Sequence, residues 1–66
     1  MSVLRATIKV TGDVESAIKE MSADGLTLVK GGPQWINVDG ERNLVQALRR
    51  HIRVLLYAED ELMQVF

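Results

Sequence analysis

The residues best suited to hold a ligand lie together in Lys30-Gly31-Gly32-Pro33-Gln34-Trp35. A glycine pair can turn backbone N–H groups toward a phosphate, Lys30 would add charge, and Trp35 offers a ring on which a base can stack. The run is neither a phosphate-loop consensus nor a dinucleotide fingerprint. Gly31-Gly32-Pro33 between two short β-like runs reads more readily as a plain hairpin turn.

A second group comes from period-two alternation. If Leu4, Ala6, Ile8 and Val10 face a core, then Arg5, Thr7 and Lys9 face the other way, and Trp35, Asn37 and Asp39 do the same in a later strand. A tryptophan beside cations on an uncovered sheet is how single-stranded nucleic acids are often stacked and neutralised. One aromatic is thin support, because tryptophan also packs at edges and subunit contacts. The candidate ligand-binding set is therefore Arg5, Lys9, Lys30, Gly31, Gly32 and Trp35.

The densest basic cluster is Arg49-Arg50-His51-Arg53. On a helix Arg49 and Arg53 share one side, whereas Arg50 points about 100° away, so a solvated flank paired to a partner's acids explains the cluster better than a phosphate-reading stripe. His51 is the single imidazole and the chain has no cysteine. That composition leaves no thiolate metal site and no histidine pair, and gives poor support for general-base work. The expectation is a protein with no catalytic residues, no metal and no cofactor.

These residues need elements to position them. Val3 to Thr11 alternates apolar and polar, the pattern of a strand with one buried face. Gly12-Asp13 breaks it, and Asp13 is suited to cap a helix carrying Val14, Ala17, Ile18 and Met21, which Asp24-Gly25 would end. Leu26 to Lys30 and Gln34 to Asp39 read as two further strands, with Asp39 or Gly40 capping a final helix. Glu41 to Phe66 is 26 residues without Gly or Pro, rich in good helix formers. Leu44, Leu48, His51, Leu55, Ala58, Leu62 and Val65 recur along it in four-three spacing.

The predicted fold class is α+β, in the order β-α-β-β-α. It has a three-stranded sheet and a long C-terminal helix, the whole forming one small domain over residues 1–66. The alternative is β-α-β-β-α-β, ferredoxin-like, with residues 61–66 as a fourth strand. The expected core is Leu4, Ile8, Val10, Ile18, Leu26, Leu28, Ile36, Val38, Leu44 and Leu48.

A helix over 41–66 would be on the order of 40 Å long, with more apolar surface than one small sheet covers. The predicted consequence is a homo-oligomer built on an antiparallel contact between these helices. Leu48, Ile52, Leu55, Leu56 and Leu62 would lie in the contact, with Arg49 and Arg50 set against the partner's Asp60 and Glu61.

At 66 residues a domain buries little of its surface, and self-association is the stabilising device left to a chain with no disulfide. A hydrophobic fraction of 47% with 26% charged residues is that of a globular chain, and a net charge of −1 supplies no overall field for polyanions. No apolar run is long enough to span a membrane and the first residues are unlike a secretory leader, so a cytoplasmic location is expected. The first functional reading is a small non-enzymatic binding module, of the size common among phage and mobile-element accessory proteins. It would block a host factor or sequester a nucleotide-like ligand. The alternatives are a nucleic-acid binder using the basic and aromatic surface, and a purely structural assembly subunit.

Overall fold

Alternation along Val3–Val10 becomes β1, and its even-numbered residues Leu4, Ala6, Ile8 and Val10 are all buried. This computed structural model describes residues 3–60. After Gly12, helix α1 runs Val14–Met21. Asp13 caps it by accepting from the Ser16 N–H at 2.9 Å and the Ser16 hydroxyl at 3.0 Å. Those bonds, the backbone one foremost, hold the Asp13 carboxyl below its usual range. The helix ends three residues before the expected Asp24-Gly25 stop. Gly25, at a φ of 91°, instead sits in the turn where the Leu26 N–H reaches the Ala23 carbonyl.

Strands β2 (Leu26–Lys30) and β3 (Trp35–Glu41) form an antiparallel hairpin. Strand β3 continues through Asp39-Gly40, where the sequence pattern predicts a helix cap. Gly40 is required for space: a Cβ there would run into the backbone carbonyl of Gly25 and the side chain of Leu26. Glu41 is the actual cap of α2, Arg42–Ala47, its carboxylate accepting from the Leu44 N–H at 3.3 Å.

The C-terminal third overturns the predicted fold class. Helix α2 tightens into a 3₁₀ turn over Leu48–Arg50, and the chain then turns at His51 and enters strand β4, Val54–Asp60. The sheet has four strands in the order β2-β3-β1-β4, every pair antiparallel. Among the described residues there is no long C-terminal helix. The alternative's fourth strand, 61–66, lies outside the described residues, and the strand beside β1 is drawn from inside the expected helix.

The physical reason is that β1 is a central strand. Its second edge would otherwise leave backbone N–H and C=O groups without partners beside the core. Pairing with 54–60 satisfies that edge, whereas helix propensity differs by only a few tenths of a kcal/mol for most of these residues. Val54 and Tyr57 add partly buried cover to the core.

Helix α1 packs on β2 and β3, and α2 on β3 and β1. The core holds Leu4, Ala6, Ile8, Val10, Val14, Ala17, Met21, Ile36, Val38, Val45 and Leu48. Leu44, expected inside, is exposed, and Val45 takes its place.

Ile52 separates this fold from a long helix, with Ile8 as the core reference. Ile8 has no exposure and Ile52 is 92% exposed in the turn before β4. Ile8→Ala should cost about 2–5 kcal/mol in urea unfolding, whereas Ile52→Ala should stay within about 0.5 kcal/mol.

Candidate functional site: the uncovered sheet face

Directly opposed residues in an antiparallel sheet share a face, so the strand registers fix the composition of the face away from the helices. One row is Thr27, Asp39, Arg5 and Asp60, and the next is Val29, Asn37, Thr7 and Ala58. The third is Trp35, Lys9 and Leu56. Val3, Val29 and Leu56 expose about half their surface here, at 52%, 54% and 56%.

Cross-strand bonds knit the rows together. Arg5 Nε donates to Asp39 Oδ1 at 2.7 Å, and the Thr7 hydroxyl donates to Asn37 Oδ1 at 3.3 Å. The bond to Asp39, reinforced by its charge, raises the Arg5 pKa further. Arg5 is thus engaged with one acid and lies opposite a second, Asp60. Lys9 Nζ sits 5.9 Å from the centre of the Trp35 ring, within cation–π range.

The structure divides the predicted ligand set. Arg5, Lys9 and Trp35 share the uncovered face. Lys30 is opposed to buried Ile36 and so belongs to the helix face, where its charge acts on Asp13. The Gly31 N–H donates to the Trp35 carbonyl at 2.8 Å, closing the hairpin rather than facing a ligand. Asn37 lies beside Gly31 and Trp35 beside Gly32, so little space remains above either glycine.

The basic cluster is also dispersed. Arg49 and Arg50 are exposed on the 3₁₀ turn, whereas Arg53 folds inward as a clamp. Its guanidinium donates to the Thr11 carbonyl at 3.1 and 3.2 Å and to the Asp13 carbonyl at 2.9 Å, and it pairs with Glu20. The Thr11 N–H returns a bond to the Arg53 carbonyl at 2.9 Å. His51 accepts the Arg53 N–H at Nδ1, 3.2 Å away, so it shapes the turn into β4. No local pattern announces this clamp, because its partners lie 33 to 42 residues away.

The predicted oligomer contact loses its helix. Leu48 is in the core, and Leu55 and Leu56 lie on β4, each 56% exposed. Ile52 projects from the turn and Asp60 ends β4, while Glu61 and Leu62 lie outside the described residues. Among the described residues no three His, Asp or Glu side chains are grouped to hold a metal, and no helix is long and apolar enough to cross a membrane. No protein-family model, curated protein or solved structure matches the chain.

On the helix side of β4, the Tyr57 hydroxyl donates to Glu59 at 2.9 Å and Gln46 donates to the same oxygen at 3.0 Å. These bonds, led by that of Gln46, hold Glu59 below its usual range. Burial, then the bond and charge of Glu59, push the Tyr57 phenol up to about 12. Tyr57 is the single tyrosine, so phenolate absorbance reports it directly. An unfolded phenol titrates near about 10. A raised folded value means that the contribution is complete below about 10 and lost as pH climbs toward about 12. Native titration near about 12, and a stability advantage over Tyr57→Phe that shrinks above pH about 10, are the expected results.

Proposed function

We propose that the chain is a small non-enzymatic binding module that docks a protein partner on its uncovered sheet face. The observation that carries this is the composition of that face. Arg5 and Lys9 are balanced by Asp39 and Asp60, Arg5 is bonded to Asp39, and Trp35, Val29, Leu56 and Val3 supply apolar area. A tryptophan among partly exposed aliphatics with balanced charge suits a protein contact, where buried aromatics dominate affinity. Polyanion binding would call for an excess of unpaired cations. A short accessory protein that occupies another protein's surface accords with this face, and a cytoplasmic location fits a chain without cysteine.

The second reading is single-stranded nucleic acid, favoured by Lys9 standing over Trp35 on the two central strands. Trp35 is the single tryptophan, so its fluorescence reads the face without labelling. Titration with oligothymidylate at low and physiological salt should leave that fluorescence unchanged. Proteins cross-linked to the wild-type chain should be lost with Trp35→Ala and kept with Ile52→Ser. Quenching that saturates and weakens steeply with salt would overturn the protein reading in favour of the second.

A further inference from the structure

The charges of the uncovered face are unevenly matched. Arg5 is bonded to Asp39, and Asp60 on its other flank acts on it as well. Lys9 has no such company. Its neighbours on the face are Trp35 and Leu56 across the strands, Thr7 along β1, and Asn37 and Ala58 on the diagonals, none of them charged. Among the described residues Lys9 makes no ion pair, and its ammonium stands instead 5.9 Å from the centre of the Trp35 ring. Asp39 and Asp60 lie with Arg5, two rows back along β1, about 13 Å away at about 3.3 Å per residue. That exceeds the Debye length of about 8 Å at physiological salt, so the acids of the face leave the Lys9 charge unanswered.

Lys9 and Trp35 are both half-buried. A partner that covers the Trp35 ring therefore also strips water from an ammonium with no counter-charge of its own, which is costly unless the partner brings one. We propose that the partner docked on this face brings a single carboxylate to Lys9, from an aspartate or glutamate set between apolar side chains that cover Trp35 and Leu56. This rests on the protein-docking reading and names the chemistry of what docks. The sheet geometry selects the pattern. Trp35 and Leu56 stand on the strands either side of Lys9, each about 4.8 Å away, so an acid directed at Lys9 is bordered by apolar contact on both sides. A lone lysine is a point charge that one carboxylate answers. A run of acids or phosphates following β1 would instead meet Asp39 and Asp60 at the next rows. Trp35 is then the anchor of the contact and Lys9 the residue that decides which partner fits.

Random peptides displayed on phage and selected against the wild-type chain should yield sequences with Asp or Glu between aliphatic or aromatic residues. Binding of the synthesised peptides, read by Trp35 fluorescence, should fall at least tenfold when that acid is changed to its amide. Lys9→Glu should weaken the acidic peptides at least tenfold, and changing the peptide's acid to lysine should restore binding to Lys9→Glu and not to the wild type. Lys9→Gln, which adds no negative charge, should weaken them in the same direction, with far-UV circular dichroism and urea midpoint reporting that both variants stay folded. Peptides whose phage are lost on Trp35→Ala, but which carry no acid or bind Lys9→Glu as well as the wild type, overturn this inference and leave the docking reading standing. If no selected peptide depends on Trp35, the docking reading itself falls and this inference with it.

Discussion

Everything in this molecule leans on β1 being paired along both edges while one of its faces is sealed. Ala6, Ile8 and Val10 have no exposure, and β3 and β4 flank them. A strand in that position cannot leave a row of amide groups unbonded beside an apolar core without a cost of several kcal/mol. The chain therefore commits its last described segment to the sheet. Once β4 is fixed there, α2 can be only long enough to span from the end of β3 to the turn at His51.

Long-range hydrogen bonds fasten the helices and the β1–α1 loop to the last described segment. Arg53, which by composition belongs to a basic cluster, is engaged in holding the β1–α1 loop and Glu20. A guanidinium suits this task because its fork can serve two carbonyls and a carboxylate at once. Tyr57, Glu59 and Gln46 form a second junction, between β4 and α2. With these charges occupied on the helix side, the other face carries the Arg5–Asp39 pair and Lys9 beside Trp35 among partly exposed aliphatic side chains.

The two edges of the sheet differ. The hairpin loop at 31–34 ends β2 with glycine, proline and a nearby lysine, so that side resists further pairing. Strand β4 has no glycine, proline or lysine, and its edge is instead interrupted by an irregularity and ends in Glu59 and Asp60. Leu56 protrudes because it is paired with Lys9 on the uncovered face, and the alternation is then broken on β4 by an irregularity opposite Lys9 and Val10. That irregularity leaves Leu55 exposed alongside Leu56.

Local residue order was enough to specify β1, the Asp13 cap, the hairpin around Gly31 to Gln34 and the residues of the uncovered face on the two central strands. These follow from short-range rules: two-residue alternation, a carboxylate within reach of the third N–H, and glycines at a reversal. The last third was not legible in that way, because Leu44, Leu48, Leu55 and Leu56 imitate a helical stripe although the first two precede a turn and the last two lie in a strand. Nor did residue order separate Lys30 from Trp35 or reveal what Arg53 grips. Long-range packing settled these points, since a few tenths of a kcal/mol per residue of helix preference cannot outweigh an unpaired edge on the strand at the centre of the sheet.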